Sequence, residues 1–180
     1  MNETYKMIVA GVERELPVCK VNDNLSIAAF VIFGDVELTV ACARELIKII
    51  PEHDIMISAE AKGIPLVHEM ARQMNVNKYI IARKAPKLYM KEPFSVVVKS
   101  ITTLAMQMLY IDKIDAELMK GKRVLIVDDV ISTGESMRAV EKLVNESGGI
   151  IVGRAAILAE GEAAKRNDII FLNELPLFYK

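Results

Sequence analysis

Val124-Leu125-Ile126-Val127-Asp128-Asp129-Val130-Ile131-Ser132-Thr133-Gly134-Glu135-Ser136 is the stretch whose reading decides the fold. It opens on an unbroken apolar run rich in β-branched side chains, the pattern of a strand buried on both faces of a parallel sheet. Two carboxylates follow. They are costly to bury, so they belong at the carboxyl edge of the strand, where open α/β sheets hold their ligands. The small, hydroxylic residues after them lead into a helix. The first N–H groups of a helix lack internal partners and face the positive end of its dipole, which suits a phosphate. Carboxylates beside such a cradle accept hydrogen bonds from sugar hydroxyls, directly or through Mg²⁺. The combination implies a sugar phosphate. Asp-Asp alone would be an ordinary turn and Ser-Thr an ordinary helix cap, so the whole string carries the reading. No GxxxxGK[ST] run occurs, which excludes a Walker loop.

Working outward, Gly134 to Ser147 is an amphipathic helix with Met137, Val140, Leu143 and Val144 inward, stopped by Gly148-Gly149. Ile150 to Leu158 is the next strand. Upstream, Asp54 to Ala59 and Lys78 to Ala82 read as short strands, separated by a helix from Ile64 to Asn75 with Pro65 in its first turn. Another helix is expected from Gly34 or Asp35 to about Ile50, with Val36, Val40, Ala43, Ile47 and Ile50 at helical spacing. Tyr5 to Val18 reads as a hairpin turning at Ala10-Gly11, and residues 20 to 33 are not placed. Arg83, Lys84, Lys87 and Lys91, with Pro86 and Pro93, mark a basic loop. Phe94 to Lys99 and Ala105 to Ile111 are expected to form a mobile antiparallel pair joined through Ser100 to Thr103. Strand–helix–strand alternation without linkers or repeats argues for one α/β domain with a mainly parallel sheet flanked by helices.

The chain has 180 residues, 52% of them hydrophobic, enough to bury a large core. Its 23 basic and 24 acidic residues leave a net charge of −1, so nothing in the charge suggests a nucleic-acid partner. Cys19 and Cys42 have no metal or disulfide spacing and read as two buried thiols. His53 and His68 read as structural, and the 10 methionines as core filler. No signal peptide and no apolar run of membrane length is visible, so the expectation is a cytoplasmic protein without a membrane partner.

The 124–136 string resembles the motif with which type I phosphoribosyltransferases bind 5-phosphoribosyl 1-diphosphate (PRPP). Ser58-Ala-Glu60-Ala61-Lys62-Gly63-Ile-Pro-Leu-Val is similar to the segment where purine members hold the diphosphate with a backbone turn and a basic side chain. Adenine enzymes usually show Glu-Ala-Arg-Gly there, and Lys62 supplies charge without the bidentate fork of Arg. Arg83-Lys84-Ala-Pro-Lys87-Leu88 resembles the Arg-Lys-x-x-Lys-Leu segment after the following strand.

The resemblance implies a type I phosphoribosyltransferase fold with a flexible lid between about Met90 and Met108. A small hood would be built from about residues 1–35 and 159–180, over a core of about 36–158. It also implies roles. Asp128 and Asp129 would be catalytic, holding the ribose hydroxyls. Ser132, Thr133, Gly134, Glu135 and Ser136 would bind the 5-phosphate. Ala61, Lys62, Arg83, Lys84 and Lys87 would bind the diphosphate. Mg²⁺ would be held through PRPP, with Asp128 and Asp129 as the available protein ligands, and the molecule would be a homodimer. Glu135 and Ser136 stand where the family commonly has Gly and Thr. Glu92 is the one acid in the lid and is not assigned a catalytic role.

The implied activity is transfer of the phosphoribosyl group from PRPP to a purine base in purine salvage. Adenine is favoured because no basic residue follows Glu160 to donate to a 6-oxopurine; the nearest cations are Lys165 and Arg166. Hypoxanthine/guanine or xanthine transfer, orotate or other pyrimidine transfer, and a non-catalytic PRPP-sensing regulator are the alternatives.

Overall fold

A computed structural model describes residues 3–99 and 106–180. The chain runs β1 (Thr4–Val9), β2 (Val12–Asn22), β3 (Leu25–Ala28), α1 (Val36–Ile47), β4 (Ile55–Ala59), α2 (Gly63–Gln73) and β5 (Ile80–Ala82). It continues through β6 (Pro93–Lys99), β7 (Met106–Asp112), α3 (Lys113–Met119), β8 (Arg123–Ile131), α4 (Glu135–Glu146), β9 (Ile150–Glu160), β10 (Ile170–Leu175) and β11 (Leu177–Tyr179). Among the described residues no helix is long and apolar enough to cross a membrane.

The central sheet is wholly parallel, in the order β10-β9-β8-β4-β5. Its middle strand is the one on which the sequence reading rested. Successive side chains of β8 point to opposite faces, and both faces are covered. Val124 and Ile126 pack with Met119 of α3 and with Val140 and Leu143 of α4. Leu125 and Val127 pack with Leu38 and Leu46 of α1 and with Leu66 and Met70 of α2. Burying four such side chains stabilises the sheet by about 1.5–3 kcal/mol each. Arg123 closes the start of the strand: its backbone N–H donates to Asp54 at 2.8 Å, and its side chain holds the Asp54 carboxyl down at about 2.

Asp35 caps α1, its carboxylate accepting the Leu38 N–H at 3.1 Å, and Arg14 of β2 anchors that cap at 2.7 Å. Of the residues first read at helical spacing, Ala43 is buried and Ile47 and Ile50 pack partly buried against the core, but Val36 does not. Leu38, Cys42 and Leu46 form its buried stripe, while Val36 is 73% exposed. Cys19 is exposed on β2, against the expectation of two buried thiols; Cys42 is buried, which pushes its thiol up to about 12.

Two segments were misplaced or missed. Residues 159–180 were assigned together to a hood, but β10 is the edge strand of the central sheet, where it covers the otherwise open side of β9. Only β11 joins β1, β2 and β3 in a separate antiparallel four-stranded sheet. Helix α3 went unread because its 7 residues are too few to show a period. The expected β6–β7 pair forms, from Pro93↔Asp112 to Lys99↔Met106, and Val96, Leu109 and Ile111 sink into the α4 side of the core. Ser100 to Thr103, expected to carry the connection, and Ala105, expected to open the second strand, lie outside the described residues.

Candidate active site

Strand β8 outruns its neighbour on one side. It pairs with β4 only through Ile57↔Ile126, but with β9 as far as Ile131↔Ala159. Asp128 and Asp129 therefore lie within the strand rather than after it, beyond the end of the β4 pairing. Here the β4–α2 turn, the start of the basic loop and the β8–α4 loop converge on a cavity of about 330 Å³.

Gly134 makes the last of these turns. Its φ of +75° is left-handed, a conformation that suits glycine, and no side chain caps the helix that follows. The Thr133 hydroxyl reaches only the Glu135 N–H, at 3.5 Å. Ser132, Thr133, Gly134, Glu135 and Ser136 all line the cavity, so the start of the helix and three hydroxylic residues border it.

The two aspartates have different surroundings. Asp129 is 2% exposed, and Lys62 Nζ approaches its Oδ2 at 2.9 Å. That approach is a charge contact at an angle that makes no hydrogen bond. Asp128 accepts the Asp129 N–H at 2.9 Å, but burial, and then the neighbouring Asp129 charge, push its carboxyl up to about 7. Glu160, at the end of β9, is also raised by burial, with Lys62 opposing the shift.

Gly63 lets these parts approach. A Cβ there would stand 2.2 Å from the buried Ser58 Oγ and 3.2 Å from both Cα and Oδ1 of Asp128. Just before it, the Glu60–Ala61 peptide is cis. Glu60 accepts the Lys84 N–H at 2.8 Å and pairs with Arg83 at 2.8 Å, fastening the basic loop to the β4–α2 turn.

The cavity brings together Ala61, Lys62, Lys84, Asp128, Asp129 and residues 132 to 136, which lie far apart in the chain. It does not include Arg83, whose guanidinium is turned onto Glu60, nor Lys87. Glu92 is paired with Lys113. Four contributors were missed by the sequence reading. The anchoring role of Glu60 was hidden because that residue was quoted only as motif context. Val130 and Ile131 line the cavity, although they read as ordinary apolar positions. Arg166 packs against Gly134, and no local pattern could announce that contact.

The chain is similar to known proteins in sequence and in fold. Two relatives are named hypoxanthine/guanine phosphoribosyltransferase. The one from Methanocella paludicola is 32% identical over 112 residues, covering 62% of this chain and 54% of that protein. The one from Methanotorris igneus is 36% identical over 112 residues, covering 62% and 57%. The matched stretch thus spans little more than half of either relative. The solved adenine phosphoribosyltransferase of Thermoanaerobacter pseudethanolicus superposes with a TM-score of 0.67 at 21% identity, covering 95% of both chains. That of Rhodothermus marinus gives 0.64 at 18% identity, covering 96% of this chain and 94% of the other. The family model for the phosphoribosyl transferase domain matches residues 35–175, a span that holds the whole central sheet and every cavity residue, and the chain belongs to that family.

Proposed function

We propose that this protein transfers the 5-phosphoribosyl group of PRPP to a purine base, releasing diphosphate and forming the nucleoside monophosphate. The observation that carries this reading is the convergence of a helix-N-terminal cradle, two adjacent carboxylates and two lysines on one cavity. A ligand matching it needs a phosphate, vicinal hydroxyls and a second, larger anionic group.

In this reading residues 132 to 136 hold the 5-phosphate, and Asp128 with Asp129 accepts the ribose hydroxyls. The Ala61–Lys62 turn and Lys84 hold the diphosphate; Arg83 and Lys87 serve the basic loop from outside the cavity. The purine nitrogen's lone pair forms the bond to C1 as the C1–O bond to diphosphate breaks, and the nitrogen's proton passes to solvent. C1 becomes cationic during the exchange, so positioning and charge stabilisation supply the catalysis. Two carboxylates are too few for an all-protein magnesium cage. They suit Mg²⁺ carried in on the substrate's oxygens, where it would neutralise the leaving diphosphate and where Asp128 and Asp129 are the protein groups able to hold it. The β6–β7 hairpin, packed beside α4, is suited to act as the lid that keeps water from PRPP. The β1-β2-β3-β11 sheet is suited to be the hood over the base. Assembly as a homodimer is part of the same proposal.

Adenine is the base we favour. Lys165 is engaged by Glu162 at 2.7 Å and Arg166 by Asp168 at 2.9 and 2.8 Å, so the cations after Glu160 are committed to neighbouring acids. A second reading, hypoxanthine or guanine, is favoured by the names of the sequence relatives. Diphosphate release from Mg-PRPP across adenine, hypoxanthine, guanine and xanthine tests both. Faster turnover of hypoxanthine than of adenine selects the second reading. PRPP binding with no release for any base indicates a sensor.

A further inference from the structure

The β8–α4 loop has a neighbour with no part in the reading so far. After β9 the chain makes a short 3₁₀ turn, Gly161–Lys165, and the next residue, Arg166, folds back over the loop. Its Nε and Nη2 donate to the two carboxylate oxygens of Asp168 at 2.9 and 2.8 Å. The remaining nitrogen, Nη1, lies 3.2 Å from the position a Cβ would take on Gly134. The guanidinium is thus applied edge-on to the residue at the start of α4.

That placement is held from behind. Arg154 of β9 reaches Asp168 Oδ2 at 3.6 Å and pairs through Nε with Glu141 of α4. The network starts and ends on one helix: α4 supplies Glu141, and the loop at its own N-terminus receives Arg166. Arg138, Lys165 and Arg166 also share with Ser132 and Thr133 a cavity of about 390 Å³ on the flank of the loop. Glu162 lines the same cavity and accepts from Lys165 at 2.7 Å, so what this flank adds to the loop is the fixed guanidinium groups rather than a block of unpaired charge.

We propose that Arg166 is a positioning residue for 5-phosphate binding, backing the cradle at Gly134 and supplying the positive charge that the cradle's own sequence lacks. The inference rests on the reading of residues 132 to 136 as the phosphate cradle. A phosphate dianion in a loop that contains Glu135 and no cation of its own gains from a fixed guanidinium at its flank. A fork fastened on two nitrogens holds that charge in place without further loss of side-chain freedom. Gly134 is then required twice over, by its backbone angle and by the guanidinium packed on it.

The test is calorimetric titration of ribose 5-phosphate and of PRPP into the full chain, wild type against Arg166→Ala and Arg166→Lys, with kcat and KM for the favoured base alongside. Arg166→Ala is expected to weaken ribose 5-phosphate about tenfold and raise KM for PRPP similarly, with kcat at saturating PRPP within about twofold. Arg166→Lys should recover part of the loss, because it restores charge without the fork. Unchanged affinity in Arg166→Ala overturns the proposal, and so does an equal loss in the Lys and Ala variants. If Arg166→Ala lowers the melting temperature, Arg166→Gln, which can still bond Asp168, carries the same expectations. A wild type that does not bind ribose 5-phosphate overturns the cradle reading itself, a result distinct from failure of the Arg166 inference.

Discussion

Lys62 Nζ stands 2.9 Å from Oδ2 of Asp129, joining the turn after β4 to a carboxylate that is 2% exposed. The pair explains how an acid can sit inside the sheet edge: its charge is met by a lysine that is itself half in solvent. Under the proposed function, a diphosphate entering the cavity would have to share or take over that lysine.

Removing the lysine leaves the acid buried and uncompensated. Lys62→Met is expected to destabilise the free protein by about 1–3 kcal/mol, less than the loss at a fully buried pair because Lys62 is partly exposed. Asp129→Asn in the Lys62→Met background should return most of that loss. Urea unfolding of the two variants and the wild type checks both statements, and additive losses would show that the pair is not coupled.

Asp128 makes stability depend on pH in a stated direction. Its carboxyl, raised to about 7 by burial and the Asp129 charge, keeps a proton in the folded protein that the unfolded chain has already released. The folded state binds more protons between about pH 4 and 7, so stability from this group is complete below about 4 and declines as pH rises to 7. Asp128→Asn should flatten that decline. Urea midpoints at pH 5 and pH 8 measure it, and a wild-type slope identical to that of the variant would contradict the assignment.

Gly63→Ala is expected to cut turnover by at least tenfold while the chain still folds. The added methyl meets Ser58 Oγ at 2.2 Å, and relief by rotating Ser58 still leaves it against the Asp128 backbone at 3.2 Å. Combining it with Ser58→Gly should restore stability more than activity, because Asp128 remains displaced. Thermal melts read alongside diphosphate release separate the two effects.

Glu135 opens α4 inside the cradle. Glu135→Gln keeps the backbone N–H and removes a negative charge from beside the bound dianion, so KM for PRPP should fall about threefold. The helix should lose about 0.3–1 kcal/mol of N-terminal charge support. A rise in KM would mean that the carboxylate organises the loop rather than opposing the phosphate.

The legible parts of this protein are those written in consecutive residues. Val124 to Val127 announced a strand covered on both faces, and Ser132 to Ser136 a helix N-terminus open to an anion, because period and capping chemistry are local. Asp128 and Asp129 were read as lying just past the strand; the length of β9 instead carries the strand through them to Ile131. α3 was too short for any period to show. β10 was readable as apolar, but its sheet depended on which edge stood open.

Local chemistry thus put a helix N-terminus and two carboxylates together at the end of β8, since backbone N–H groups, carboxylates and an apolar run need only each other in order. Which cations attend them was a matter of packing. Lys62 reaches the cavity because Gly63 lets the turn approach β8, Arg83 is taken by Glu60, and Arg166 arrives at Gly134 from beyond β9. Side-chain length and strand order set those distances, and no spacing along the chain encodes them.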